Sequence, residues 1–272
     1  MPLAVCATPI GNLDDVTPRV LRELAEADLV LCEDTRHTRT LLDRNGIETR
    51  LQSYHRHNEA ARTAELLPRL EAGDRIALVS DAGMPGINDP GARLIEAALA
   101  AGLPVTVLPG PSAVETALVA SGLTGERYQF LGYLPRSDKA RRELWQELQG
   151  WPHPAVAFES PQRLPATLRS LAETLPSRPV AVCRELTKRF EEVVRGEAAD
   201  VARRFSEPPK GEVTLVLGAG DEVEPALEVS TAVGAVGELV AAGVPRRQAA
   251  DVVARLARIS RNTLYSESLK SR

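Results

Sequence analysis

The feature that most constrains the fold is a pair of short apolar runs, each ending in a loop rich in Gly, Pro, Asp and Ser. Ile76–Val79 leads into S-D-A-G-M-P-G-I-N-D-P-G, and Val105–Leu108 leads into P-G-P-S-A. In a sheet with helical crossovers, ligands bind outside the carboxyl ends of the strands, where such loops lie. We therefore predict that the two loops line one pocket.

The residues of these loops suit a ligand that has an anionic or hydroxyl-rich part but no phosphate. Neither loop contains G-x-x-x-x-G-K-[ST] or G-x-G-x-x-G, the patterns that cradle phosphates. Asp81 at a strand end can accept hydrogen bonds from amines or hydroxyls, and Gly83 allows close backbone approach. Taken alone, this segment could equally be a tight turn.

The start of the next helix permits two interpretations that do not exclude each other. Ser112 and Glu115 have the spacing of a capping box, in which each side chain bonds a backbone N–H of the first turn. The same helix start can direct N–H groups at a ligand carboxylate.

Length and composition predict a folded α/β protein of about two domains. The chain has 272 residues, against a prior of about 150 per domain. Its residues are 43% hydrophobic but only 4% aromatic, which indicates an aliphatic core. The three cysteines, Cys6, Cys32 and Cys183, lie in apolar runs without C-x-x-C spacing, so we expect buried, reduced thiols.

Charge is distributed unevenly along the chain. The net charge is −4, yet residues 244–272 hold seven basic and two acidic residues, so this segment carries +5 and the remainder −9. No apolar run approaches the roughly 20 residues that cross a bilayer, and no basic leader precedes the first strand-like run. We expect a cytoplasmic protein.

The order of strand-like and helical segments predicts the domain organisation. Through residues 1–122, strands alternate with helices, which indicates parallel pairing and βαβ units. Thr17 and Pro18 read as the N-cap and first residue of one helix, and Asp89 and Pro90 as those of another. We predict a second α/β domain at 123–220, a linker at 221–229 and a basic helical module at 230–272.

Seven segments of the chain, taken together, resemble a known family. They are A-T-P-I-G-N-L-D-D-V-T at 7–17, E-D-T-R-H-T-R-T-L-L at 33–42, S-Y-H-R-H-N-E at 53–59, S-D-A-G-M-P-G-I-N-D-P-G at 80–91, P-G-P-S-A at 109–113, F-E-S-P-Q-R at 158–163 and E-L-T-K-R-F-E-E at 185–192. Their order is that of bacterial small-subunit ribosomal RNA 2'-O-ribose methyltransferases, members of the tetrapyrrole-methylase superfamily. The resemblance covers nearly all of residues 3–220, and the basic tail is similar to that family's C-terminal module. Departures are small: Asn88 replaces a usual serine, and Cys6 and Ala7 replace a more common Pro or Thr neighbourhood.

The resemblance implies a fold, a methyl donor and a substrate. The fold would be two α/β domains of the tetrapyrrole-methylase (class III methyltransferase) type with a cleft between them. The donor would be S-adenosylmethionine, the target the ribose of a cytidine in the decoding region of 16S ribosomal RNA in the small ribosomal subunit, and the assembly a homodimer. The implied cofactor-binding residues are Ile10, Asp81, Gly83, Met84, Ser112, Ala113, Glu159, Leu186 and Gly211.

The substrate-binding candidates are mostly basic. Arg36 follows a strand and can hold a phosphate, although Glu33 and Asp34 beside it could simply cap the next helix. Charged residues at 136–142 are either a solvated helix face or contacts to the RNA backbone. The candidates are Arg36, Asn58, Arg136, Arg246 and Arg247.

Methyl transfer to a ribose hydroxyl needs in-line geometry, which positioning and desolvation can supply, and a base can assist because the hydroxyl is a poor nucleophile. The general-base candidates are Asp34, His55 and His57, with Lys188 as a weaker one; the sequence does not choose among them. The two histidines lack the further ligands of a metal site, so we predict no metal.

Two other functions remain open from the residues. The first is a methylase of a small tetrapyrrole, of the precorrin or uroporphyrinogen type, with the same fold and donor. The second is a non-catalytic RNA-binding module, which would leave the polar strand-end loops without a role. The basic tail and S-Y-H-R-H-N-E favour an RNA substrate over a tetrapyrrole.

Overall fold

The computed structural model describes residues 2–220, 227–257 and 259–270. It divides into two compact units, Met1–Gln146 with His153–Ala219, and Glu147–Pro152 with Gly220–Arg272. Both predicted α/β domains lie in the first unit, except for residues 147–152 and 220 of the second domain, which belong to the second unit. Residues 221–226 of the predicted linker lie outside the described part of the chain.

The amino-terminal half of the first unit contains a parallel five-stranded sheet. Its strand order is β3-β2-β4-β1-β5, and all four pairings are parallel, which confirms the prediction for this region. The strands are β1 (Leu3–Cys6), β2 (Leu29–Cys32), β3 (Leu51–Ser53), β4 (Ile76–Val79) and β5 (Val105–Leu108).

Helices cover both faces of this sheet. The strands β1, β2 and β4 are buried at every position, as expected for continuous apolar runs between two helical layers. Separate apolar clusters around Leu24 and Leu66 fill the two faces. The helices are α1 (Pro18–Glu26), α2 (Thr35–Arg44), α3 (Glu59–Glu71), α4 (Ala92–Ala100) and α5 (Ala113–Ser121), and Leu13–Asp15 forms a short 3-10 turn.

One predicted helix start is confirmed and another is wrong. The Thr17 side chain accepts a hydrogen bond from the Val20 N–H, so it caps α1. Asp89 and Pro90 do not begin α4, which starts at Ala92 after Gly91 as N-cap. Gly91 has φ +136°, and its N–H donates to the Glu59 carboxylate at 2.9 Å, so the chain is held out of helical geometry until after this glycine.

A mixed sheet forms the rest of the first unit. Its order is β6-β7-β10-β8-β9; β6 and β7 are parallel, and the other pairs are antiparallel. Strand β9 was not predicted from the sequence. The strands are β6 (Gln129–Tyr133), β7 (Ala155–Glu159), β8 (Pro179–Arg184), β9 (Glu192–Glu197) and β10 (Val213–Leu217), with helices α6 (Asp138–Leu148), α7 (Leu164–Thr174) and α8 (Ala198–Arg204).

The carboxyl-terminal segment consists of three helices around a small aliphatic core. They are α9 (Val229–Ala241), α10 (Arg246–Ala257) and α11 (Arg261–Lys270). These helices account for most of the predicted helical module, whose residues 258 and 271–272 lie outside the described part of the chain. Val236, Ala250 and Leu264 lie at the centre of the shared cluster. Within the described ranges, no helix is long and apolar enough to cross a membrane.

Candidate functional site

The two sheets of the first unit face each other across a cavity of about 620 Å³. The loops after β1, β4 and β5 line one side, so the predicted pocket between the two Gly- and Pro-rich loops is confirmed. The opposite side comes from the ends of β6 and β7 and the start of β10. This volume is typical of small-molecule and cofactor sites.

The loop at Gly83, which lines the cavity, is held in a fixed shape by the residues after β1. Thr8 and Gly83 exchange backbone hydrogen bonds at 2.9 and 3.0 Å, and the Thr8 hydroxyl donates to the Ser80 carbonyl at 2.9 Å. Gly83 has φ +78°, which a side chain rarely permits. Gly110 crosses so close to Ala7 that a Cβ on it would lie 2.9 Å from the Ala7 Cβ.

Helix α5 directs its amino end into the cavity. Ser112 and Ala113 both line it, as predicted. The predicted capping box is wrong in geometry: the Ser112 hydroxyl bonds the Glu115 carboxylate, and no side chain described in the structure caps the α5 backbone. The Tyr128 hydroxyl also donates to that carboxylate, at 2.6 Å. The first N–H groups of the helix therefore remain open to a ligand.

An aromatic cluster forms the opposite wall. Phe130 and Phe158 meet edge to face with ring centroids 5.1 Å apart, and Tyr133 contacts Phe158 in the same manner at 5.5 Å. All three line the cavity, and Tyr133 is 61% exposed. This wall can accept a flat ring against it.

Three carboxylates collect at the edge of the cavity. Asp81 and Asp89 line it, and burial followed by the negative charge of Asp81 raises the pKa of Glu33. Burial, then the charges of Glu33 and Asp81, raise the pKa of Asp89 to about 6, while Arg56 opposes the shift. Perturbed carboxylates in a cleft are typical of functional sites.

A shallower pocket of about 440 Å³ adjoins the cavity through Asp81. It contains the predicted general-base candidates Asp34, His55 and His57, and Arg36 with them. The sequence motifs at 33–42 and 53–59 are therefore brought together here, because β2 and β3 are neighbours and end at the same edge of the sheet.

Within this pocket Asp34 is already engaged. Its carboxylate pairs with the Arg36 guanidinium at 2.8 Å and also accepts the Arg36 N–H at 2.9 Å. Hydrogen bonding from Arg36 lowers the pKa of Asp34 to about 2. Such a carboxylate is a weak proton acceptor near neutral pH.

His55 and Asn58 form a local turn. The Asn58 side chain accepts from the His55 N–H at 2.8 Å, donates to the Ser53 carbonyl at 3.2 Å and lies 3.2 Å from His55 Nε2. Asn58, predicted to bind substrate, thus shapes the loop that carries the two histidines. His57 is exposed beside it, with ring centroids 5.9 Å apart.

The other predicted cofactor residues occupy different positions. Ile10 and Met84 line the cavity. Glu159 reaches it only with its backbone edge, because its buried carboxylate binds Thr167 and Arg163 at 2.6 and 2.5 Å. Leu186 packs behind Ile10 in the same apolar cluster and is not among the lining residues.

Gly211 lies just before Glu212, which lines the cavity. It has φ +87°, and a Cβ on it would lie 2.3 Å from the Glu185 side chain. Glu185 and Glu212 both pair with Lys188, at 3.1 and 2.8 Å, so this weaker base candidate is held in ion pairs. The positive φ favours glycine at position 211, and a side chain there would also displace the ion-paired Glu185 carboxylate.

The predicted RNA-contacting arginines differ in their surroundings. Arg136 is exposed before α6, outside the cavity lining. Arg246 donates to the Ser268 carbonyl and so joins α10 to α11, whereas Arg247 is exposed. Arg136 and Arg247 thus present a solvent-facing guanidinium, as does Arg36 in the neighbouring pocket.

Sequence reasoning missed Asp89 and Tyr133 as residues of the cavity. The sequence pattern predicts Asp89 as a helix cap and gives no role to Tyr133. A signal for Asp89 was available, since it belongs to the same strand-end loop as Asp81. The position of Tyr133 depends on pairing between β6 and β7, which local pattern does not reveal.

Comparison with known proteins agrees with this geometry. Residues 2–202 match the family model of tetrapyrrole (corrin/porphyrin) methylases. Among solved structures, the methyltransferase CobJ aligns with a TM-score of 0.59 at 21% identity, over 83% of this chain and 96% of its own. A uroporphyrin-III-C-methyltransferase from Thermus thermophilus aligns with a TM-score of 0.56 at 24% identity, over 79% and 93%. These likenesses show the fold.

Curated relatives are closer in sequence. A protein named ribosomal RNA small subunit methyltransferase I from Halalkalibacterium halodurans is 46% identical over 82% of this chain and 78% of its own length. The protein of the same name from Synechocystis is 42% identical over 98% and 97%. The chain therefore belongs to the tetrapyrrole methylase family, and within it to the group of ribosomal RNA small subunit methyltransferases I.

Proposed function

We propose that this protein transfers the methyl group of S-adenosylmethionine to the ribose 2'-hydroxyl of a cytidine in the decoding region of 16S ribosomal RNA. One observation carries the proposal. Relatives named for small-subunit ribosomal RNA are 42–46% identical to the chain over 79–98% of it, and the longest of these matches includes the basic helices beyond residue 202, where the general family model ends. A methylase of small tetrapyrroles has no evident need for such helices.

The cavity has groups that fit the methyl donor. The open N–H groups at the start of α5 suit its carboxylate, and the backbone at Gly83, which lines the cavity, permits close contact. Asp81 offers a carboxylate oxygen to an amine or hydroxyl. When bound, the donor supplies an activated methyl group on a sulfonium that needs no further leaving-group assistance.

The neighbouring pocket is suited to the nucleotide. It opens to solvent and adjoins the cavity at Asp81, so a ribose there would lie next to the donor. Arg36, 90% exposed, and His57 can contact phosphate, although Arg36 must leave Asp34 in part to do so. RNA enzymes act on unstacked nucleotides, and the aromatic wall can hold the released base.

Two further properties, the oligomeric state and the location in the cell, are proposed together with this function. A homodimer is supported by exposed aliphatic side chains on consecutive elements at the β5 edge, namely Leu99, Val107 and Val119, which are 53–71% exposed. Light scattering of purified protein measures its mass. A cytoplasmic location follows from the ribosomal substrate.

The deciding experiment is methyl transfer in vitro. Small ribosomal subunits, free 16S RNA and a uroporphyrinogen are each incubated with labelled S-adenosylmethionine, and the modified RNA is mapped by mass spectrometry. We expect one methylated ribose on a decoding-region cytidine. Label in the uroporphyrinogen alone supports a tetrapyrrole methylase instead, and donor binding without transfer to any acceptor supports a binding module.

A further inference from the structure

Asp89 is a carboxylate on the cavity wall that has no partner. It lines the cavity together with Met84, Tyr133 and Ser112. In the described part of the chain its side chain takes part in no hydrogen bond or ion pair. Asp81, by comparison, accepts the Asp34 N–H at 3.1 Å, and the Glu159 carboxylate is fully engaged. Asp89 is thus a cavity carboxylate free to take a proton.

The loop around Asp89 is held rigidly on both sides. The Arg56 guanidinium donates to the Asn88 carbonyl at 2.5 Å, and the Gly91 N–H donates to Glu59 at 2.9 Å. The Asn88 side chain packs against Gly132 of β6, where a Cβ would lie 3.0 Å away. Contacts to three other segments therefore fix the position of Asp89, as a catalytic group requires.

The charges that face Asp89 come from every neighbouring segment. Glu33 after β2 and Asp81 after β4 are negative, Arg56 before α3 is positive, and Tyr133 of β6 is neutral with its pKa raised by burial and then by Asp89. Burial together with the two carboxylates outweighs the single arginine, which places the pKa of Asp89 at about 6. A base with such a pKa is largely ionised at pH 7 and accepts protons more readily than an ordinary aspartate.

We propose that Asp89 is the general base that takes the proton of the ribose hydroxyl, an inference that rests on the proposed function. The hydroxyl oxygen forms the new bond to the methyl carbon, and the carbon–sulfur bond breaks with its electron pair going to sulfur. The hydroxyl proton passes to a carboxylate oxygen of Asp89. No further reactant is needed, and the charge of the sulfonium is cancelled as the carboxylate becomes neutral.

Asp89 fits this role better than the candidates predicted from sequence. Asp34 is paired with Arg36, and Lys188 is held by two glutamates. His55 and His57 lie on the wall of the neighbouring pocket, which meets the cavity at Asp81, and the His55 ring contacts the Asn58 amide at 3.2 Å. The reacting hydroxyl must reach past Asp81 to the methyl group inside the cavity, so its proton leaves on the Asp89 side. Asp89 alone among these residues lines the cavity that the methyl donor fits.

The test is Asp89→Asn in the full-length protein. We expect single-turnover methyl transfer to fall at least about 100-fold, with the Kd for S-adenosylmethionine, measured by calorimetry, within about threefold of wild type. Asp43→Asn, the same change on the exposed face of α2, serves as the control and should transfer at the wild-type rate. In the free protein, carboxyl ¹³C NMR should show one titration near pH 6 that is lost in Asp89→Asn.

Glu33→Gln gives a second readout that does not depend on the fold of Asp89→Asn. Removing the Glu33 charge should move the acidic limb of the kcat/KM profile to lower pH. The role of Asp89 is contradicted if Asp89→Asn transfers methyl groups at a rate within fivefold of an active wild type, or if its affinity for the donor falls as much as its rate. It is also contradicted if Glu33→Gln leaves the acidic limb of the kcat/KM profile where it is in the wild type. A wild-type protein that methylates no RNA contradicts the proposed function instead.

Discussion

Asp34 and Asp89 show how one side chain acquires opposite properties from its surroundings. Both are acidic residues at an apparent helix start; the sequence suggests Asp34 as a general-base candidate or helix cap and Asp89 as a helix cap alone. Arg36 stabilises the charged form of Asp34 and lowers its pKa to about 2, while burial and two carboxylates destabilise that of Asp89 and raise its pKa to about 6. The sequence identified the loop of Asp89 but not the residue, because its burial and the charge of Glu33 depend on parts of the chain that are distant in sequence.

The raised pKa of Asp89 predicts a stability that depends on pH. The folded protein binds this proton more tightly than an unfolded chain with a pKa of 3.8, so the favourable contribution is present below pH 4 and is lost as pH rises through 6. Asp89→Asn removes the charge. We expect the variant to be more stable at pH 7.5, by about 1 kcal/mol after allowance for solvent screening of a partly exposed group, with little gain at pH 4.

Urea denaturation at the two pH values measures this difference. Asp43→Asn should change stability by less than about 0.5 kcal/mol at either pH. Equal stability of Asp89→Asn and wild type at pH 7.5 would show that burial and the neighbouring carboxylates do not destabilise the ionised form of Asp89.

Gly91 supplies a second prediction for single residues. Its φ of +136° disfavours a side chain, and a Cβ would lie 2.8 Å from Leu78, which is buried and cannot move aside. Gly102 also has positive φ, +71°, but has open space around it. We expect Gly102→Ala to cost about 1 kcal/mol of unfolding free energy and Gly91→Ala about 3 kcal/mol, measured in urea. Similar losses in both variants would show that the clash is relieved.

Among the secondary-structure elements, the sequence predicts apolar strands well but predicts poorly a polar strand that is held mainly by pairing with its neighbour. Strands β4 and β5 coincide with the runs Ile76–Val79 and Val105–Leu108, because each run ends at a polar loop. Strand β9, of sequence E-V-V-R-G-E, is mostly polar and half exposed, and is held by antiparallel pairing with β8. That pairing is a non-local contact, so no local pattern predicts it.

The cysteines test how tightly these strands are packed. All three are free and buried, as predicted: Cys6 in β1, Cys32 in β2 and Cys183 in β8. Burial raises the pKa of Cys6 to about 12 and of Cys183 to about 11, and also raises that of Cys32. Since the thiolate is the reactive form, we expect no labelling of the native protein by an aromatic disulfide reagent at pH 8 and three labels per chain in denaturant. Rapid labelling of one native cysteine would indicate local opening.

At the scale of the whole molecule, the methylase fold and its cavity belong to the first unit. The role of the basic helices in the second unit is a separate question. The sequence predicts a basic helical module there, and the described part of the chain has three helices around an aliphatic core. Their basic residues are not equivalent. Arg246 donates to the Ser268 carbonyl, and Arg255, although exposed, pairs with Asp251 at 3.8 Å.

Arg247 and Arg261 are the exposed arginines of this unit whose side chains take part in no bond or ion pair within the described ranges. If the basic helices bind RNA phosphates, replacing both with Gln weakens binding to 16S RNA and lowers the slope of log K against log salt by up to about 1.4, roughly 0.7 per single-strand phosphate contact. Binding of S-adenosylmethionine, measured by calorimetry, should not change, because its cavity lies in the first unit. Arg203→Gln on α8, an exposed arginine that pairs with Asp200, is the matched control. Unchanged RNA affinity and salt slope in the double variant would exclude these arginines from the RNA interface, and a parallel loss of donor binding would point to misfolding rather than lost phosphate contacts.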